Sequence, residues 1–162
     1  MNITFERAKP SEHHSLTNVS FEAKRYWKYP EEYYTAWEKE LTITKEYIAS
    51  NLVYLARVGD EVAGYFSICR VESDFWSGKV FVNKGYWLEH IFIRPEFMGR
   101  GIGKELIQLS KEVCREHRIE KLHIFSDPFA KGFYTKIGAR YVRESESSIE
   151  GRQIPVFELL IT

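Results

Sequence analysis

Between Ile91 and Leu106 the chain reads IFIRPEFMGRGIGKEL. An apolar run of strand length stops at Pro95, glycines follow at Gly99, Gly101 and Gly103, and an amphipathic segment then begins. Its residues Ile102, Leu106, Leu109 and Val113 recur at helical spacing and mark a buried face, while His117 and Arg118 suit the negative end of the helix dipole. Glycine at a helix start costs stability, so three within five positions need a reason. Close approach of the backbone to a ligand supplies one. The first N–H groups of a helix have no internal partner and attract an anion such as a phosphate or pyrophosphate. Arg100 and Lys104 add positive charge around that turn.

The spacing excludes two common phosphate binders. A Walker loop needs glycine five residues before the Gly-Lys pair and a hydroxyl after it, but Met98 and Glu105 stand there. A dinucleotide fingerprint starting at Gly99 needs a third glycine where Lys104 stands, and it belongs to a regular βαβ unit.

The rest of the chain does not alternate that way. Strand patterns fall at Ile3–Lys9, Leu52–Val58, Glu61–Val71, Tyr86–Ile93, Leu122–Phe125, Ala139–Glu146 and Ile154–Ile161. Gly59-Asp60 turns the second strand into the third. Ser11 is a candidate cap for a helix carrying Leu16, Val19, Ala23 and Tyr26/Trp27. A second helix after Pro30 aligns Tyr34, Trp37 and Leu41, and Thr44 restarts a short turn through Ile48. Asp127-Pro128 opens a further helix that places Phe129, Phe133 and Ile137 on one face and stops at Gly138. The segment 72–84 is ambiguous, with a tip at Ser77-Gly78. The reading is an α/β chain of the α+β kind, with a central mixed sheet of about seven strands flanked by about four helices. No linker interrupts it, so residues 1–162 are expected to form a single domain.

Charge and cysteine content narrow the partners. With 23 basic and 23 acidic side chains there is no basic excess to reward nucleic acid or anionic lipid. Cys69 and Cys114 are too few for a disulfide framework, no signal-like leader precedes the first strand, and no apolar run approaches a membrane span. A cytoplasmic protein with no nucleic-acid and no membrane partner is expected. No histidine spacing suggests a metal site.

The strand, Pro95 and Met98-Gly99-Arg100-Gly101-Ile102-Gly103 resemble the signature of the GNAT superfamily of acetyl-CoA-dependent N-acetyltransferases, normally Gln/Arg-x-x-Gly-x-Gly/Ala. A second signature, normally Asn-x-x-Ala-x-x-Phe-Tyr-x-Lys-x-Gly, is resembled by Asp127 to Gly138, which includes Ala130, Phe133, Tyr134 and Lys136. The hairpin with Gly64 and the element order also match, so the resemblance covers nearly the whole chain. Two departures stand out. Met98 replaces a polar side chain near the phosphates, and Asp127 replaces an amide that would donate to the pantetheine arm.

The resemblance implies a GNAT-like acyl-CoA N-acyltransferase fold, in which two central parallel strands splay apart. It implies acetyl-CoA as co-substrate, with no metal, and direct transfer of the acetyl group to a primary amine in a ternary complex. Ile91, Phe92 and Ile93 would offer backbone groups to the pantetheine arm, and Gly99, Arg100, Gly101, Ile102, Gly103 and Lys104 would hold the pyrophosphate. Asp127 would cap the helix beside the arm. Tyr134 occupies the general-acid position. Glu89, two residues before Ile91 on the same side of its strand, is a candidate general base, or else an acid at a strand end in solvent. The aromatics from Phe21 to Trp37 cover the acceptor side, with Trp27 and Tyr29 preferred as substrate contacts and the remainder read as core. A small-molecule or peptide amine is the acceptor implied, and a homodimer is left open. The alternative is a GNAT-like domain that binds acyl-CoA as a sensor and transfers nothing.

Overall fold

The structure is a computed structural model and describes residues 2–162. The elements are β1 (Ile3–Arg7), α1 (His13–Arg25), α2 (Glu31–Leu41), α3 (Lys45–Ser50), β2 (Leu52–Val58) and β3 (Glu61–Val71). A small hairpin, β4 (Phe75–Ser77) and β5 (Val80–Val82), precedes β6 (Gly85–Ile93) and α4 (Ile102–Glu116). The chain ends with β7 (Lys121–Phe125), α5 (Lys131–Lys136), β8 (Arg140–Glu146) and β9 (Gln153–Leu160). A seven-stranded mixed sheet runs in the order β1-β2-β3-β6-β7-β9-β8, and β4-β5 form a separate pair. The tip expected at Ser77-Gly78 is that pair's turn, with Gly78 at φ +59°. No helix among the described residues is long and apolar enough to cross a membrane.

Two compact units organise the chain. The first reaches to Ile68 and resumes over His90–Leu106. Its core gathers Leu16 and Val19 of α1, Ile43, Ile48 of α3, Val53 and Leu55 of β2, and Val62 and Tyr65 of β3. Burying a tyrosine hydroxyl requires a partner. Tyr65 finds it in Ser20 of α1, 2.6 Å away, and Ser20 in turn donates to the Leu16 carbonyl.

The entry to α1 differs from expectation. Ser11 is not its cap, because Pro10–Glu12 close a 3-10 turn and the α-helix starts at His13. Glu12 fastens this turn: it accepts from the Lys9 amide at 2.9 Å and pairs with Arg57 at 2.5 Å, while Arg57 also holds Glu6 of β1 at 2.7 Å. Burial alone would raise the Glu12 carboxyl, but the Lys9 amide and Arg57 outweigh it and hold the group below the usual carboxylate range. The exit also differs. Tyr26 and Trp27 leave the apolar face because α1 ends at Arg25 and Lys28 turns left-handed, at φ +54°. Both rings are exposed.

The second unit holds Cys69–Glu89 and Ile107–Thr162. Antiparallel β7-β9 and β9-β8 ladders surround buried Leu122, Ile124, Val156, Phe157 and Leu159. Helix α4 buries Ile102, Leu106 and Val113 as its spacing predicts; Ile107 and Cys114 join them, and Leu109 is only half-buried. It ends where Arg118 adopts φ +58° and the Ile119 amide returns to the Cys114 carbonyl at 2.8 Å, a Schellman-type stop.

One close approach fixes the first unit around β6. A Cβ at Gly64 would lie 2.7 Å from both the Phe92 carbonyl oxygen and Ile93 Cδ1, so β3 reaches β6 only with glycine there. Gly64→Ala is therefore expected to destabilise the protein by about 1–3 kcal/mol, since a backbone oxygen cannot rotate away. Denaturant unfolding measures this, and an unchanged midpoint would mean that β3 and β6 can move apart freely.

Candidate active site

In the first unit the end of β6 is pinned by the residue after it. The Arg94 amide donates to the Ala63 carbonyl at 2.8 Å, its Nε donates to the Val62 carbonyl at 2.6 Å, and its guanidinium pairs with Glu22 of α1. Ile91, Phe92 and Ile93 precede this anchor and are each partly buried. His90 and Phe92 stack loosely at 5.8 Å, with Tyr65 on the same cluster.

The chain then makes a 3-10 turn, Pro95–Phe97, and enters the glycine segment. Gly99 and Gly101 have φ +77° and +81°, with Arg100 between them in ordinary backbone space. Such alternation turns consecutive amides toward one side and forms an anion nest. Nothing lies within 4 Å of a Cβ built on either glycine, so the required φ, not crowding by the protein, selects glycine there. The first helical bond of α4 runs from the Glu105 amide to the Gly101 carbonyl at 3.1 Å, which leaves the amides of Ile102, Gly103 and Lys104 in the unpartnered first turn. Arg100 lies over the buried Phe97 ring at 5.6 Å. Met98 is exposed. These residues fit a diphosphate, and they do so through main-chain groups.

In the second unit, Asp127 caps the turn that leads into α5, accepting from the Phe129 amide at 2.9 Å, and its other oxygen lies 3.6 Å from Arg152. Sequence reasoning gave no signal for Arg152. The helix itself corrects an expectation. Pro128–Ala130 is a 3-10 turn and α5 begins only at Lys131, so the four-residue spacing breaks. Phe129 swings out to 57% exposure, Phe133 and Ile137 are half-buried, and Tyr134 is the residue α5 buries. Its ring packs against Phe133 at 5.3 Å and Phe157 at 5.6 Å. Burial, and behind it the charge of Asp127, push its hydroxyl well above the usual tyrosine range. The group is a proton donor throughout the neutral region.

Glu89 is exposed on β6, and its neighbour is a residue the sequence did not single out. Burial first, then the charge and hydrogen bond of Glu89, push the Cys69 thiol up to about 12. The thiol thus donates to the carboxylate. Cys114 is core, and burial raises its thiol to about 11.

Of the two acceptor-side candidates, Trp27 is exposed and meets Tyr26 edge-on at 4.9 Å. Tyr29 is half-buried: its amide donates to the Tyr34 hydroxyl at 3.0 Å, and its ring meets Trp37 at 5.1 Å. The Lys24 ammonium caps that pair, 4.3 Å from the Trp37 centroid.

Parallel to β7 at its start, β6 runs on toward a glycine nest at the start of α4. The family model described as "Acetyltransferase (GNAT) family" matches residues 16–139, and the chain belongs to that family. Among solved structures, the PaiA N-acetyltransferase of Thermoplasma acidophilum, in complex with coenzyme A, is 18% identical with a TM-score of 0.74, covering 99% of each chain. A GNAT acetyltransferase of Brucella melitensis with acetyl-CoA is 18% identical with a TM-score of 0.62, over 99% of this chain and 89% of its own. The ribosomal-protein-S18-alanine N-acetyltransferase of Escherichia coli is 12% identical with a TM-score of 0.67, over 99% and 95%. At these identities the likeness is one of fold. No curated protein sequence matches the chain.

The Cys69–Glu89 contact makes a measurable claim. Raising a thiol to about 12 lowers its thiolate fraction near neutrality by about a thousandfold, so Cys69 should resist iodoacetamide in the folded protein. Glu89→Gln is expected to speed its labelling while Cys114 stays unchanged, as read by mass spectrometry of peptides. Equal Cys69 rates in the two proteins would show that the carboxylate does not hold the thiol.

Proposed function

We propose that this chain is a single-domain cytoplasmic N-acetyltransferase that moves the acetyl group of acetyl-CoA to a primary amine by direct attack in a ternary complex. The observation that carries the reading is the run from β6 to α4. Among the described residues, β6 pairs with β7 at Tyr86 opposite Leu122 and Trp87 opposite His123, and the strand then continues to Ile93 and feeds the glycine nest. The coenzyme A and acetyl-CoA complexes of the Thermoplasma and Brucella neighbours support the same ligand here. The alanine acceptor named for the Escherichia coli neighbour supports an amine.

Ile91, Phe92 and Ile93 hydrogen-bond the pantetheine arm as an added strand. Gly99 to Lys104 take the pyrophosphate on main-chain N–H groups, and Asp127 fixes the turn that aims α5. A backbone N–H of β6 steadies the negative charge that develops on the acetyl oxygen. Glu89, oriented by the Cys69 thiol, accepts the amine proton through a water. The amine nitrogen bonds the acetyl carbon, the carbon–sulfur bond breaks, and Tyr134 gives its proton to the departing sulfur. Trp27 and Tyr29 face the acceptor.

Acetyl-CoA with a panel of amino acids, polyamines, aminoglycosides and peptides, read as free thiol release, tests the reading. Binding of acetyl-CoA with no amine-dependent thiol release would replace it with a sensor. Tyr134→Phe keeps the ring packed against Phe133 and Phe157, so kcat is expected to fall about a hundredfold with little change in acetyl-CoA affinity. Full kcat where chemistry limits the rate would remove Tyr134 from the mechanism. Gly101→Val is expected to weaken CoA binding in calorimetry, because no valine adopts φ +81° without strain. Trp27→Ala and Tyr29→Ala should raise the acceptor KM and leave CoA affinity unchanged; an unaltered KM in both would return these rings to a packing role.

A further inference from the structure

Within the second unit a shallow, largely open cavity of about 380 Å³ lies between the turn that precedes β6 and the turn that joins α4 to β7. Lys84, Arg118 and Lys121 line it, against one lining acid, Glu120. Lys121 is engaged with Glu158 at 3.0 Å. The Lys84 ammonium and the Arg118 guanidinium have no partner among the described residues; the Asp74 carboxylate takes the Lys84 amide, at 2.6 Å.

Two backbone features hold the cavity in shape. Arg118 is the left-handed residue that stops α4, and its cation both suits the negative end of the helix dipole and lines the cavity. Gly85 has φ +130°, and a Cβ on it would lie 2.9 Å from His123 Nε2, so glycine is what lets the imidazole reach the cavity wall. The Asn83 side-chain amide, 3.0 Å from His123 Nε2, fixes that ring. Burial first, and the charge of Lys121 next, hold His123 below the usual histidine range, so it adds hydrogen-bonding capacity without charge.

We infer that this cavity is a binding site for a small organic dianion, a phosphate monoester or a dicarboxylate, whose charges meet Lys84 and Arg118. Tyr86 and Ile119 supply the less polar part of the wall. Two cations held apart by separate turns match two negative charges better than one, and a charge-assisted hydrogen bond to each gives selectivity over a monovalent ion. The site is independent of the acetyl-transfer residues.

The test is an NMR titration of the intact protein with inorganic phosphate and, separately, with succinate, with sodium chloride at matched ionic strength as reference. Saturable shifts at the Gly85, Arg118 and Lys121 amides and the His123 ring are expected from at least one dianion, and which one distinguishes the two ligand classes. The double variant Lys84→Met/Arg118→Gly should weaken that binding at least about tenfold, the loss expected when charge-assisted contacts go. It should fold, since Arg118→Gly relieves a positive φ and Lys84 is exposed. Shifts no different from those with sodium chloride, or undiminished binding in the folded double variant, would overturn the inference.

Discussion

Strand β6 has a different neighbour at each end, and the proposed chemistry depends on that change. At its start it pairs parallel with β7, and at its finish the Arg94 amide and guanidinium hold it to the carbonyls of Val62 and Ala63. A strand edge is a row of donors and acceptors that must be satisfied by something. Gly64 lets β3 come close enough to serve one edge of the finish. The proposed pantetheine strand belongs on the other edge, and the glycine nest begins within a few residues of Ile93.

The sequence made most of this legible because local signals agreed with one another. Strands β2 and β3 fall where the apolar runs and Gly59-Asp60 put them, and the burial of Tyr34, Trp37 and Leu41 follows the spacing of α2. The misreadings at two helix starts share one physical origin. At Pro10–Glu12 and again at Pro128–Ala130, proline opens a 3-10 turn that delays the start of the α-helix; α1 still buries Leu16, Val19 and Ala23 as spaced, whereas the four-residue spacing from Phe129 is broken. Ser11 falls inside the first turn and so is no cap, Phe129 falls inside the second and is exposed, and Tyr134 is left as the buried ring of α5. Composition cannot distinguish the two helix types over three residues.

Candidate site residues stood out in the sequence where chemistry is written in neighbouring positions, as in Gly99–Gly103 and Asp127–Tyr134. They were hidden where it comes from contacts distant in sequence. Cys69 reaches Glu89 from β3, Arg152 reaches Asp127 from the turn before β9, and Glu22 reaches Arg94 from α1. Each is a charge or a weak donor that looks like ordinary surface or core in the one-dimensional pattern. Lys24 is another case, since its place over Trp37 ties α1 to α2 and accounts for part of an aromatic cluster that sequence alone could read as a substrate cage.

The left-handed bends at Gly99 and Gly101 stand in open space, held by the 3-10 turn before them and the helix after them. The ordering of those amides therefore belongs to the free energy of folding and not to that of association. A ligand that meets the nest finds its donors already aligned, so little of its binding energy is lost to arranging the loop. The same coupling runs in reverse. Any anion seated there stabilises the native state by mass action, in proportion to the logarithm of its concentration over its dissociation constant. In a cell rich in such a ligand, the lifetime of this chain against unfolding would then track the metabolite supply.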